Sequence, residues 1–123
     1  MSAILIPVRV VGNEAFAEAT MKLYQSDKHS PVIQLIVGLN WAKGNITAIF
    51  WNESAKYGKK LDIIGPYSVI VSNNLVSVPD EVLTRNGYMK VRFKLEQESD
   101  PQVSVYTNAI SLPIIETIPL SVV

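Results

Sequence analysis

Apolar residues recur at every second position over much of the chain, and this alternation constrains the fold more than any other feature of the sequence. The clearest segment, residues 33–41, has Ile33, Leu35, Val37, Leu39 and Trp41 alternating with Gln34, Ile36, Gly38 and Asn40. A period of two places successive side chains on opposite faces of a strand, so one face of this segment is continuously apolar. Because Val and Ile dominate these positions, the chain is predicted to fold mainly into strands.

Similar segments are found along the rest of the chain and are separated by turn residues such as Gly, Asn and Pro. The further predicted strands are residues 4–11, 20–25, 45–52, 67–71, 75–78, 88–96 and 103–112. Residues 14–19 stay open between strand and helix, because Asn13 could cap a helix while the alanines alternate as in a strand. Several short strands at this spacing predict a sandwich or a barrel.

One short helix is predicted near residues 79–86. Pro79 suits a first-turn position, and Asp80 and Glu81 follow it where acidic side chains are favourable. Arg85 would lie in the last turn, and Gly87 could take the left-handed conformation after the end. We expect this helix to cross between two strands.

The 123 residues fit one domain, and neither a repeat nor a linker divides them. The absence of cysteine excludes disulfides, thiolate nucleophiles and zinc ribbons. Eleven basic and eleven acidic side chains give zero net charge, which disfavours a general nucleic-acid binder. We find no apolar run long enough to span a membrane and no signal-peptide pattern, so the expected compartment is the cytoplasm or a particle assembled there.

No group of residues predicts a catalytic, cofactor or metal site, and the chain is predicted not to be an enzyme. His29 is the only histidine and lies in a polar loop. The carboxylates are scattered, and the six glycines form no phosphate-binding motif. A weak enzyme hypothesis would need a cleft that gathers Asp62, Asp100 or His29.

Lysines and aromatic residues offer candidate contact residues. Lys56, Lys59 and Lys60 flank Tyr57, and this cluster could bind a nucleic acid or a sugar phosphate, although a charged hairpin end that keeps an edge soluble is favoured. Trp51 is out of phase with Phe50, so one of the two should face outward; an exposed Trp51 would be the best single candidate. Trp41 is predicted to belong to the core.

The order of several cues resembles the N-terminal immunoglobulin-like domain of the phage baseplate upper protein family. The first cues are a lead strand that ends on a Gln-x-Asp turn (22–27, KLYQSD), an apolar strand (31–37, PVIQLIV) and a strand after a Gly-containing turn (44–50, GNITAIF). They are followed by a crossing segment that begins with Pro79 (78–83, VPDEVL), by Gly87, by a closing strand at 91–93 and by a last strand at 105–113. The resemblance covers about residues 20–113, and residues 1–19 extend beyond it.

The resemblance implies an all-β, immunoglobulin-like antiparallel β-sandwich. Residues 20–113 would form the sandwich, residues 1–19 an extension that adds a strand or an arm, and residues 114–123 an apolar linker or interface. It further implies a non-catalytic component of a tail baseplate that docks a receptor-binding or fibre module onto the tail tip. Its partners would be other phage tail proteins and copies of itself, without membrane, nucleic acid or cofactor, in a virion assembled in the host cytoplasm.

The two ends of the chain are predicted to take part in such contacts. Residues 112–123 are apolar and contain two prolines, which makes them a poor central strand. We therefore expect residues 4–11 or 113–123, including Ile114, Ile115 and Ile118, to be buried against another subunit. The alternative function is a carbohydrate-binding module that recognises cell-surface polysaccharide by stacking sugars on Trp51, Tyr57 and Tyr67.

Overall fold

The structure, a computed structural model, describes residues 5–18, 23–24, 31–38, 41, 44–54, 62–84, 87–97 and 100–115, with only the backbone described at 24 and 100–103. These described residues form ten strands. They are β1 (Leu5–Val11), β2 (Glu14–Ala17), β3 (Leu23–Tyr24), β4 (Val32–Val37), β5 (Asn45–Ser54), β6 (Asp62–Ile70), β7 (Leu75–Ser77), β8 (Gly87–Gln97), β9 (Asp100–Tyr106) and β10 (Ile110–Ile115).

The strands form two sheets that enclose one core, in agreement with the predicted all-β sandwich. Sheet A has four strands in the order β2-β1-β4-β7. Sheet B has the order β3-β10-β8-β5-β6, and β9 also pairs with β8. Most pairs are antiparallel, whereas β1 with β4 and β10 with β3 are parallel.

The core is built from the inward positions of the long strands, as the alternation predicts. In sheet B, Phe50 and Phe93 are fully buried, and in sheet A Ile6, Val8 and Ile33 are equally inaccessible. Burying one such side chain stabilises the fold by about 1.5–3 kcal/mol, so these positions dominate the stability. Trp41 is buried as predicted, and its Nε1 donates a 2.8 Å hydrogen bond to the carbonyl oxygen of Gly12.

Two strands near the N-terminus, β1 and β2, are part of sheet A. β1, which the resemblance left in an extension outside residues 20–113, lies between β2 and β4. The stretch left open between helix and strand contains β2, Glu14–Ala17. Of the strand predicted at 20–25, the description covers β3, Leu23–Tyr24.

The predicted short helix is a single 3-10 turn, Asp80–Leu83. Pro79 precedes it and the two acids lie in its first turn, as expected, but the turn ends before Arg85, which lies outside the described residues. Val82 and Leu83 are buried in the core. Their burial accounts for the turn better than helix propensity does, because one helical turn alone is not stable in water.

The strand predicted at 103–112 is divided into β9 and β10, which both pair with the same side of β8. Tyr106 pairs with Lys94, whereas Ile110 pairs with Val91, so one extra residue is inserted between them. The interruption is held by Thr107, whose N–H donates to the carbonyl oxygen of Phe93 (2.9 Å) and whose hydroxyl accepts from the Phe93 N–H (3.0 Å).

Candidate interaction surfaces

The outer face of sheet A carries five exposed apolar side chains. They are Leu5 (51% exposed), Val11 (59%), Phe16 (44%), Ile36 (37%) and Leu75 (42%), here called the sheet A face. They are exposed because strand alternation turns Ile6, Val8 and Val10 inward and leaves the residues between them outside. A contiguous apolar patch on a sheet face is typical of a contact surface.

Strand pairing brings these side chains together around one arginine. Arg9 pairs with Phe16 on β2 and with Ile36 on β4, so its side chain lies between two apolar neighbours. Its Nε hydrogen-bonds the Oε1 atom of Glu18. Leu75 on β7 pairs with Gln34 and extends the face by one strand. The arrangement is a largely apolar surface that contains the Arg9–Glu18 pair and also exposes Glu14, opposite Val11, and Gln34, opposite Leu75.

The outer face of sheet B is different, because a row of cations runs along β8. Lys90, Arg92 and Lys94 occupy alternate positions and are half-buried. Lys90 Nζ lies 3.7 Å from Glu53 Oε2, and Lys94 Nζ lies 3.0 Å from Glu96 Oε1. We call these three cations the β8 row. Glu53 and Glu96 neutralise part of the charge of Lys90 and Lys94.

Aromatic rings and carboxylates hold the β8 row in place. The Arg92 guanidinium carbon lies 4.2 Å from the centroid of the Tyr106 ring, a cation–π contact. Lys94 shares a hydrogen bond with Glu96, and this bond, with the nearby negative charge, raises the pKa of Lys94 above its ordinary value of 10.5. Lys94 therefore keeps its charge throughout the physiological range.

Trp51 faces outward on sheet B. The alternation predicted that either Phe50 or Trp51 would face outward, and the structure selects Trp51. Phe50 is completely buried, whereas Trp51 is half-buried beside the β8 row, paired with Lys90. Its Nε1 donates a 2.8 Å hydrogen bond to Glu53 Oε1. The indole N–H is therefore already hydrogen-bonded within the chain. A ligand could contact only the exposed part of the Trp51 ring.

The other predicted contact residues are dispersed. Ile114 is buried in the chain's own core (4% exposed), Ile115 is half-buried beside it, and Tyr67 packs against the core instead of presenting its ring. Lys56, Tyr57, Lys59 and Ile118 lie outside the described residues. The structure therefore brings none of the described predicted residues together with Trp51.

A cleft of about 510 Å³ opens at the end of the sandwich where the β1–β2 turn meets β4 and β8. Its lining includes Arg9, Asn13, Trp41, Leu95 and Gln97, and none of its described lining residues is a carboxylate or an imidazole. Asp62 is exposed at the start of β6, away from this cleft. His29 and the side chain of Asp100 lie outside the described residues, so the enzyme hypothesis is not tested by them.

The described residues contain neither a metal-type cluster of side chains nor a helix suited to a bilayer. In that part of the chain no three His, Cys, Asp or Glu side chains cluster as they would around a metal ion. No helix in the same part is both long and apolar enough to cross a bilayer.

Asn108 closes the outer edge of β2, and sequence reasoning missed this role. The Ala15 N–H donates to Asn108 Oδ1 (2.8 Å), and Asn108 Nδ2 donates to the Ala15 carbonyl oxygen (2.9 Å). The side-chain amide thus occupies the position of a neighbouring strand and links the two sheets. The sequence alone indicates only a loop residue at Asn108. Its side chain reaches β2 because the chain is interrupted between β9 and β10 at this position.

Comparison with known proteins gives similarity in structure but none in sequence. No family model matches the chain, and no curated protein matches it. The chain is similar to the solved N-terminal domain of phage TP901-1 ORF48, with a TM-score of 0.44 and 12% identity, over 96% of this chain and 100% of that one. No residue role is carried over from that domain.

Proposed function

We propose that the chain is a non-catalytic structural component of a phage tail baseplate. It would dock a receptor-binding or fibre module by protein–protein contacts through the sheet A face, in a virion whose tail is assembled in the host cytoplasm. The phage setting comes from the sequence resemblance over residues 20–113. The docking role comes from the sheet A face, which is the observation that carries the proposal.

The sheet A face has the composition of an interface centre. Interface centres are poor in charged residues and enriched in aromatic residues and Arg, and this face combines Phe16 with Arg9 among aliphatic neighbours. Arg9 is already held by Glu18, so less side-chain entropy is lost when a partner covers it. Truncation of such a central residue typically costs about 2 kcal/mol of binding free energy.

The experiment uses the proteins encoded on either side of the gene for this chain. The purified chain is mixed with each of these proteins, and the complexes are measured by size-exclusion chromatography with light scattering. We expect a complex with a tail protein, with a dissociation constant raised about thirtyfold by Phe16→Gln because the apolar anchor is lost.

Trp51→Ala is the matched control, because Trp51 is an aromatic residue on the opposite outer face. It should leave the complex unchanged. Flanking genes without any tail protein, or equal loss of binding in the two variants, would contradict the proposal.

A carbohydrate-binding role is the second candidate, and the position of Trp51 favours it. Trp51 pairs with Lys90, and Tyr88, which is 51% exposed, pairs with Glu53 on the same face. Two aromatic rings beside a carboxylate and an ammonium group could stack and hydrogen-bond a sugar. Tyr67 does not contribute, because its ring packs against the core.

The sugar hypothesis is tested by titration with purified cell-wall polysaccharide, followed by tryptophan fluorescence. Saturable binding that is lost in Trp51→Ala and retained in Phe16→Gln would establish it. A lack of saturable binding by the folded chain would eliminate it.

A further inference from the structure

The outer edge of β6 presents backbone groups that no described strand pairs with, since β6 is the last strand of sheet B. The Val71 N–H donates to the Ile46 carbonyl oxygen (2.9 Å), and antiparallel pairing alternates from there along β6. Tyr67, Val69 and Val71 therefore direct their N–H and C=O groups towards β5. Ser68 and Ile70 direct theirs to the open edge.

The other described edge strands are shorter than β6, and the longest of them is β9, which has seven residues and, among the described strands, pairs only with β8. β2 has four residues, and Asn108 occupies its outer hydrogen-bonding positions at Ala15. β7 has three residues and β3 two. β6, with nine residues, is the longest edge strand in the part of the chain that the structure describes.

Only the first half of β6 carries features that discourage pairing with another chain. Its register with β5 shifts between Phe50 and Asn52, opposite Gly65 and Pro66, and proline has no N–H to donate. Residues 67–70, Tyr-Ser-Val-Ile, carry no charge and follow a regular register. Ile70 is 77% exposed, more than any other large apolar side chain described. An uncharged, regular edge of this kind is the form that most readily adds a strand.

We propose that two copies of the chain pair through residues 67–70 of β6, antiparallel and about a twofold axis at Val69. In this register Ser68 of each copy exchanges both backbone hydrogen bonds with Ile70 of the other. Val69 then faces its own counterpart as a non-hydrogen-bonded pair, with Cα atoms about 4.5 Å apart. Sheet B continues from one copy into the next.

A second copy fits this edge for two reasons of charge and size. The segment is uncharged and the whole chain has zero net charge, so neither the strand itself nor the net charge opposes the pairing of identical strands. Ser68 is small and lies beside Ile49, which leaves room for the Ile70 side chain of the other copy on the outer face. Pairing would thus cover the most exposed apolar side chain described.

This site is separate from the sheet A face, so it goes beyond the proposed function. A chain could bind a partner through sheet A whether or not β6 pairs with a second copy. The experiment therefore follows cross-linking between identical chains, which the docking of a different protein does not produce.

Single-cysteine variants test the register directly, because the chain has no cysteine of its own. Val69→Cys should form a disulfide-linked dimer as its main product under mild oxidation, since its counterpart lies within the Cα separation a disulfide allows. Ile70→Cys is the matched control: its counterpart lies on a diagonal at about 7–8 Å, so we expect about tenfold less dimer.

Val69 packs partly against the core, so Val69→Cys could prevent folding. A second variant tests the same register without changing a core residue. Ser68→Cys combined with Ile70→Cys places both cysteines on exposed positions that face each other in the dimer. This double variant should also cross-link as its main product. The proposal would be overturned if the Val69→Cys variant and the double variant both folded but stayed monomeric. It would also be overturned if Ile70→Cys cross-linked as well as Val69→Cys.

The oligomeric state gives an independent measurement. Ile70→Lys should convert the dimer to monomer in light scattering, because the two lysines would bring like charges to the strand pair. Ile63→Lys is the control: Ile63 is 52% exposed on the same strand but lies beyond the register shift, and this variant should stay dimeric. A dimer that survives Ile70→Lys, or a wild-type chain that is a strict monomer at high concentration, would equally refute the pairing.

Discussion

The two sheets leave opposite parts of their surfaces available for contact. Sheet A has an apolar outer face, but the edge of its strand β2 is closed by Asn108. Sheet B covers its outer face with the β8 row, but the second half of its edge strand β6 is open and uncharged. The difference shows that a sandwich can offer a face on one sheet and an edge on the other, which permits two kinds of contact without competition.

The largest expected effect concerns how tightly the backbone is packed in each sheet. Gly87, at the start of β8, has φ +123°, and an added Cβ would lie 2.5 Å from the Glu53 carbonyl oxygen. Gly87→Ala should therefore lower the free energy of unfolding by about 3 kcal/mol.

Gly12, in the β1–β2 turn of sheet A, is the control because it has φ +61° and nothing within 4 Å of an added Cβ. Gly12→Ala should cost only about 1–2 kcal/mol. Both losses of stability would be measured by urea denaturation. Equal losses would show that the two sheets do not differ in backbone packing.

The second prediction removes the closure of the β2 edge. Asn108→Ala deletes both hydrogen bonds to Ala15 and should lower the free energy of unfolding by about 1–2 kcal/mol. The Ala15 amide should then exchange with deuterium faster, and the chain should precipitate at lower concentration because a second edge is open.

Asn108→Asp separates the two bonds, since a carboxylate accepts from the Ala15 N–H but cannot donate to its carbonyl oxygen. Its loss of stability should fall between those of the wild type and Asn108→Ala. An unchanged Ala15 exchange rate in Asn108→Ala would show that Asn108 does not guard this edge.

The third prediction concerns two substitutions that place a charge on the apolar outer face of sheet A and remove one from the charged outer face of sheet B. Phe16→Lys on sheet A and Arg92→Leu on sheet B should each change the free energy of unfolding by less than about 1 kcal/mol, because neither residue belongs to the core. Their effects on solubility should be opposite: Phe16→Lys raises, and Arg92→Leu lowers, the ammonium sulfate concentration needed for precipitation. A shift in the same direction for both variants would contradict the contrast between the faces.

The smallest effect concerns the charge of Lys94. Its pKa is raised above 10.5, first by the hydrogen bond to Glu96 and then by that residue's negative charge. A raised pKa in the folded state gives a contribution to stability that is complete below the unfolded pKa and is lost as pH rises through the folded value. NMR titration should show the pKa of Lys94 falling in Glu96→Gln, while the fold is retained. An unmoved pKa would remove Glu96 as the cause.

The central strands could be predicted from the sequence because their burial follows the alternation. Phe93 lies on an inward position of β8, where a period of two is sufficient to find it, whereas on β5 the same period left open whether Phe50 or Trp51 faces inward. β2 could not be assigned, since its short alanine-containing sequence fits a helix or a strand, and its pairing with β1 decides the outcome. The predicted helix near 79–86 is one turn because Val82 and Leu83 are fixed by burial.

The candidate surfaces were less accessible to sequence reasoning. The alternation required either Phe50 or Trp51 to face outward without deciding between them, and the sheet A face requires knowing which strands are neighbours, as for Phe16, Arg9 and Ile36. The expectation that the chain ends serve as interface depended on their apolar composition. That composition also serves the chain's own core, as Ile6 and Ile114 show.

The contact between Asn108 and Ala15 has a consequence for synthesis of the chain. The two residues are 93 positions apart, so β2 is made long before the side chain that guards it. At about 5–20 residues per second, a ribosome needs about 5–20 s to add that stretch. Nascent chains on one messenger therefore carry a β2 edge without its Asn108 partner for several seconds. A chaperone that shields N-terminal strands should raise the yield of folded wild-type chain. This gain should exceed the gain from lowering the temperature after synthesis.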